Sequence, residues 1–124
     1  MKVVMLAAFV LGLTACATGT EPARTAQTAM GPVLADSSSM TLYTFDRDLP
    51  GKSNCNGQCA ANWPPLRADG ASQNWGNWSV VTRDDGSKQW AYKGKPLYTW
   101  VKDQKPGDTT GNGVNNNTWH VAQP

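Results

Sequence analysis

One short segment occurs twice, as Leu42-Tyr43-Thr44-Phe45-Asp46-Arg47-Asp48 and as Leu97-Tyr98-Thr99-Trp100-Val101-Lys102-Asp103. Both copies fit Y-x-[FWY]-x-x-D, so the fold must accommodate the same local structure at two places. Internal duplication of this kind points to a repeated supersecondary unit. In a strand, residues two apart share a face. Tyr43 therefore groups with Phe45, and Tyr98 with Trp100, while Leu42 and Leu97 point the other way. Asp48 and Asp103 follow just after their strands, where a carboxylate can accept hydrogen bonds from turn N–H groups or a tyrosine hydroxyl. Duplication favours a structural role for the Tyr and Asp over a proton-handling one.

The surrounding sequence is punctuated by Gly, Pro, Asn and Asp and contains no helical stripe of useful length. Expected strands are Pro32 to Asp36, Met40 to Asp46, Trp78 to Arg83, Lys88 to Tyr92, Pro96 to Val101 and Thr118 to Val121. Asp84-Asp85-Gly86-Ser87 and Lys93-Gly94-Lys95 supply hairpin turns. The fold class is all-β: a small, loop-rich antiparallel sandwich or barrel-like domain built from two quasi-repeated hairpin units, with one short disulfide loop. The chain has no isoleucine and few other aliphatic residues, so aromatic side chains must build much of the core. Of the six tryptophans, about four are expected inside, each needing a partner for its N–H.

The N-terminus carries an address. Lys2 and the apolar run Val3 to Leu13 form a signal peptide, too short for a bilayer span of about 20 residues. The run ends in Leu13-Thr14-Ala15-Cys16, which resembles the lipobox cleaved by the lipoprotein signal peptidase. Residues 1–15 are then the signal peptide and Cys16 the lipidated first residue, with residues 16–30 a flexible tether and 31–124 one domain. Two acyl chains anchor stably where one holds only marginally, at about 0.8 kcal/mol per buried methylene. Ala17 stands where an Asp would resemble an inner-membrane retention signal, so the outer membrane facing the periplasm is favoured in a cell that has one.

The domain also resembles the secreted-repeat lipoproteins named for the Y-x-[FWY]-x-x-D motif, a family without an established function. Supporting the likeness are Ser53-Asn54-Cys55 through Cys59-Ala60, Trp63-Pro64-Pro65-Leu66, Asp85-Gly86 with Gln89-Trp90, and Tyr92 through Tyr98. The tail Pro106 to Val114, followed by Trp119-His120-Val121-Ala122, matches as well. The chain departs from the family pattern at Ser38 and Ser39, which replace the usual Gly of the first hairpin, and at Asn112, which replaces Asp.

Cys16 is assigned to lipid, and Cys55 and Cys59 to each other, because a close pair outside the cytoplasm usually oxidises. The competing reading is a redox-active or metal-handling protein using Cys55, Cys59 and the lone His120. It lacks a C-x-x-C spacing and a βαβ context. Asp108 to Gly113 has the outline of a calcium loop, with Asp108 first and Asn112 fifth. Its third position is Thr110 and its twelfth is Trp119, so the ligand set is incomplete and turn chemistry explains it. Asp108 and Asn112 are thus weak metal candidates, and no cofactor is expected.

Without Lys2 the chain has ten basic against nine acidic residues and no basic block, which argues against nucleic acid. Ser-His-Asp catalysis would have to run through His120 without a G-x-S-x-G elbow. Glycosidase chemistry would need two facing carboxylates such as Asp46 and Asp103. The expectation is a lipid-anchored, non-catalytic binding or scaffold module of the cell envelope, with an envelope protein or a glycan as ligand.

Overall fold

The computed structural model describes residues 21–124. Cys16 and the expected signal peptide lie outside the described residues. Three small antiparallel sheets form, and they do not close into a barrel. Strands β1 (Arg24–Thr28) and β2 (Gly31–Ala35) make a hairpin. β3 (Tyr43–Phe45) pairs with the last strand, β7 (Trp119–Val121). β4 (Trp78–Thr82), β5 (Lys88–Tyr92) and the short β6 (Lys95–Pro96) make the third sheet. Helix α1 (Gln58–Asn62) and the turn α2 (Val114–Asn117) are the helical pieces among the described residues. In α2 three asparagines in a row, Asn115 to Asn117, take positive φ, a conformation that Asn tolerates better than most residues.

The expected tether over residues 16–30 is corrected at its end, since Arg24–Thr28 is a strand and the domain begins there rather than at residue 31. β1 is an edge strand whose side chains are mostly exposed, with Ala26 packing on the core. It therefore carries no apolar alternation. The strands expected over Met40 to Asp46 and Pro96 to Val101 are shorter than anticipated, and single bridges extend them, Ala35 with Thr41 and Tyr43 with Tyr98.

The two halves of the chain interlock. In the first, Leu42 N–H donates to Leu34 O at 2.9 Å, while Leu34 N–H donates to Ala122 O and Ala122 N–H to Leu42 O, both at 2.8 Å. In the second, Leu97 N–H donates to Trp90 O at 3.1 Å, Trp90 N–H to Leu66 O at 2.8 Å and Leu66 N–H to Leu97 O at 2.9 Å. The tail of each half is thus inserted into the other half. Across the centre, Tyr43 N–H donates to Tyr98 O at 2.8 Å and Tyr98 N–H to Tyr43 O at 3.0 Å, so the repeats meet about a pseudo-two-fold axis.

Strand parity divides the interior as expected. Tyr43, Tyr98, Trp63 and Trp119 bury on one side with Phe45 and Trp100 against them. Leu42, Leu97, Leu34 and Trp78 form a separate cluster on the other. Trp63, Trp78 and Trp119 are buried, whereas Trp90 and Trp100 are half-buried against these clusters and Trp75 is exposed.

Candidate functional site

The duplicated motif converges on the pseudo-two-fold axis. Trp63 and Trp119 stack there with ring centroids 3.7 Å apart and planes within 1°. Phe45 extends the column on Trp119 at 4.2 Å, and Trp100 extends it on Trp63 at 4.0 Å. Members of the column come alternately from the first and second halves. Tyr43 meets the edge of Trp63 at 5.3 Å and Tyr98 the edge of Trp119 at 5.1 Å. Such aromatic pairs add about 0.5–1.5 kcal/mol each beyond their buried area. Set against this, Trp119 Nε1 is buried without a hydrogen-bond partner among the described residues, a cost of about 1–3 kcal/mol.

The tyrosine hydroxyls do not bond the aspartate of their own motif. Tyr43 donates to Asp103 Oδ2 at 2.6 Å, and Tyr98 donates to Asp48 Oδ2 at 2.7 Å. Each carboxylate also holds its own turn. Asp103 Oδ1 accepts from the Thr110 N–H at 3.0 Å and the Thr110 hydroxyl at 2.6 Å. Asp48 Oδ1 accepts from the Asn54 N–H at 2.6 Å. The motif is therefore a pair of crossed latches, each made by one half and closed by the other.

Electrostatics fixes who holds the protons. Burial, reinforced by the hydrogen bond to Asp103, pushes the Tyr43 phenol far above its ordinary range. Burial raises Tyr98 likewise, with Asp48 adding to it and Ser53 opposing it. Burial also raises the Asp48 carboxyl, against the bonds from Asn54 and Tyr98 that lower it. Both phenols are thus held in their protonated, donating form, and Asp103 Oδ2 and Asp48 Oδ2 accept from them.

The second latch has a surround that the first lacks. Ser53 Oγ lies 2.6 Å from the Tyr98 hydroxyl. Because Tyr98 gives its proton to Asp48, the serine hydroxyl is the donor to Tyr98. The Arg83 guanidinium, 4% exposed, reaches Ser53 Oγ at 3.0 Å, Gln89 Oε1 at 2.7 Å and Cys55 O at 2.6 Å. Cys55 and Cys59 are joined in a disulfide that closes this loop. At the equivalent place in the first latch, Gly111 N–H bonds the Tyr43 hydroxyl at 3.2 Å. A Cβ there would come within 2.7 Å of Trp63. Arg83 belongs to no motif, and Ser53, Gln89, Thr110 and Gly111 stand in segments that carry the family likeness without a role at the latches being legible from them. Aligning the two halves could have found Trp63 opposite Trp119.

The remaining candidates lie elsewhere. Asp108 accepts from the Gln104 and Lys105 N–H groups at 2.8 and 3.1 Å and pairs with the Lys105 ammonium at 3.0 Å. These bonds, the Gln104 N–H first, hold its carboxyl below the usual range. Asn112 Oδ1 accepts the Val121 N–H at 3.0 Å. Both side chains serve the backbone of the tail. Among the described residues no group of three or more His, Cys, Asp or Glu is placed to hold a metal. His120 alternates with the buried Trp119 and Val121 along β7 and so faces away from the cluster containing Cys55. There it bonds Asp46 Oδ2 through Nε2 at 2.9 Å, beside an open cleft lined by Thr44, Lys93, Lys95 and Gln123.

No curated protein and no solved structure matches the chain. One family model does, that of a secreted repeat of unknown function, and it matches twice, over residues 24–67 and 79–123. The two matches coincide with the two interlocked halves, and the first begins at β1. The chain therefore belongs to the family of secreted repeats of unknown function, and carries two copies of the repeat folded into one another.

Proposed function

We propose that the protein is a lipid-anchored envelope lipoprotein whose interlocked repeats form a rigid, non-catalytic binding module. The observation that carries this reading is the saturation of the motif: both phenols and both carboxylates are engaged in internal hydrogen bonds. Groups tied up in this way build a scaffold and leave recognition to the surface. Membership of a secreted family agrees with an envelope or extracellular location. The anchor rests on Cys16 in its lipobox setting, and an outer-membrane position facing the periplasm on Ala17.

Two measurements test this. Cys16→Ser should give an unlipidated precursor that no longer partitions into detergent, and normal membrane fractionation of the variant would remove the anchor from the account. Crosslinking of the lipoprotein in intact cells, read by mass spectrometry, should recover envelope glycans or envelope proteins. Repeated capture of thiol–disulfide enzymes through Cys55 or Cys59 would replace the binding reading with a redox one.

A further inference from the structure

Resting on the binding-module reading, we infer that the cleft between β3, β7 and the β5–β6 turn is a binding site for an anionic saccharide, with Lys93 and Lys95 taking the negative charge. The internal duplication supports this assignment. Where both repeats keep the same kind of side chain, the framework needs it: Tyr43 and Tyr98, Asp48 and Asp103, Trp63 and Trp119, Thr44 and Thr99. Where the backbone is equivalent and the side chains differ, the framework does not need them. Asp46 N–H donates to Thr118 O at 2.8 Å, and Val101 N–H makes the equivalent bond to Asn62 O at 3.1 Å. The same backbone position thus carries a carboxylate in one repeat and an exposed apolar side chain in the other. His120 likewise stands opposite Pro64, and Lys95 opposite Met40. These side chains that the fold does not require gather at one place.

There they line a cleft of two adjoining lobes, about 250 and 260 Å³, that share Thr44, Asp46, Lys93 and Lys95. Together the lobes are of the size of small-molecule sites, about 300–1,000 Å³. The charges on the walls are unevenly satisfied. Asp46 is held by His120, and Asp48 by Tyr98 and the Asn54 N–H. Neither Lys93 nor Lys95 has a carboxylate within 4.0 Å among the described residues. Both lysines are exposed, with Lys93 Nζ 5.2 Å from the Tyr92 ring centre, and two ammonium groups beside carboxylates that already have partners suit a ligand bringing its own negative charge. The rest of the rim, Thr44, Asp46, His120 and Gln123, offers both donors and acceptors, which suits a polyhydroxylated body. A sugar carrying a carboxylate or a phosphate supplies both.

The test is titration calorimetry on the full-length lipoprotein in detergent, with digalacturonate, its dimethyl ester, glucose 1-phosphate and lactose as probes. Digalacturonate or glucose 1-phosphate should bind at least about tenfold more tightly than the ester or lactose. Which of the two binds identifies the anion as carboxylate or phosphate. Lys93→Gln with Lys95→Gln should remove that preference at unchanged melting temperature, and Asp46→Asn should weaken binding of the sugar body. Equal affinity for charged and neutral probes, no binding of either anion, or an undiminished preference in the lysine variant would overturn the inference. Any of these, with envelope partners still recovered by crosslinking, would leave the binding module standing without this cleft.

Discussion

Removing Asp103 should cost more than removing Asp48, and each should couple to the tyrosine of the opposite repeat. Asp103 is 8% exposed and accepts from the Tyr43 hydroxyl and from both the N–H and the hydroxyl of Thr110. Asp48 is less buried and accepts from the Tyr98 hydroxyl and the Asn54 N–H. A hydrogen bond to a charged group contributes about 1.5–3 kcal/mol, and a buried donor left alone costs about 1–3 kcal/mol. Asp103→Ala strands the fully buried Tyr43 hydroxyl and should destabilise by about 3 kcal/mol, Asp48→Ala by about 2 kcal/mol. In a domain of this size that corresponds to a fall of about 12–24 °C and about 8–16 °C in melting temperature. Asn in either place keeps an acceptor and should cost less. The assay is a double-mutant cycle by urea denaturation. Tyr43→Phe with Asp103→Ala should show coupling of about 1–3 kcal/mol, and Tyr43→Phe with Asp48→Ala should be additive within about 0.5 kcal/mol. Coupling within a motif rather than between motifs would refute the crossed arrangement. Unchanged melting temperatures in both Ala variants would refute the structural role altogether.

Three further outcomes follow from the same contacts. Because burial raises Tyr43 and Tyr98 above the ordinary tyrosine range, their stabilising contribution is complete below about pH 10 and is lost as pH climbs above it. Their tyrosinate absorbance should accordingly appear together with unfolding, and titration of both phenols in a still-folded protein would contradict this. Gly111→Ala drives a Cβ against Trp63 and should destabilise by about 1–3 kcal/mol with loss of near-ultraviolet circular dichroism; an unchanged spectrum and stability would mean the column is not so closely packed. Ser39 holds a φ of 66°, a conformation that costs an L-residue and not glycine, so Ser39→Gly should stabilise by about 0.5–1 kcal/mol in a thermal melt, and a loss of stability would count against that backbone geometry.

The legible parts of the fold were those governed by strand parity and turn chemistry. Tyr43 with Phe45 against Leu42 could be read from spacing alone, because period two is local. The same is true of the turns at Gly86 and Gly94, both at positive φ. The crossing of the latches was not legible, because Tyr43 and Asp103 lie 60 residues apart and Tyr98 and Asp48 lie 50 apart. A motif shows which groups seek partners and leaves the choice of copy to tertiary structure. β1 escaped notice because an exposed edge strand has no apolar face to reveal. Arg83 and Gln89 would ordinarily be placed outside. They are buried because the guanidinium, the Gln89 amide, Ser53 and the Cys55 carbonyl satisfy one another. Alternation with Trp119 and Val121 gives His120 the outer side of its strand, but nothing local points to its partner Asp46, 74 residues away.

Native-state hydrogen exchange tests the interlocking most directly. If the tails are swapped and the latches crossed, neither repeat can open while the other stays folded. The amides of Leu34, Leu42 and Tyr43 in the first repeat and of Trp90, Leu97 and Tyr98 in the second all bond across or beside the junction. They should exchange with one free energy, equal to that of global unfolding, and share one denaturant dependence. Exchange of either set by a separate, lower-energy opening, with the other set still protected, would show two independent repeats and contradict the account.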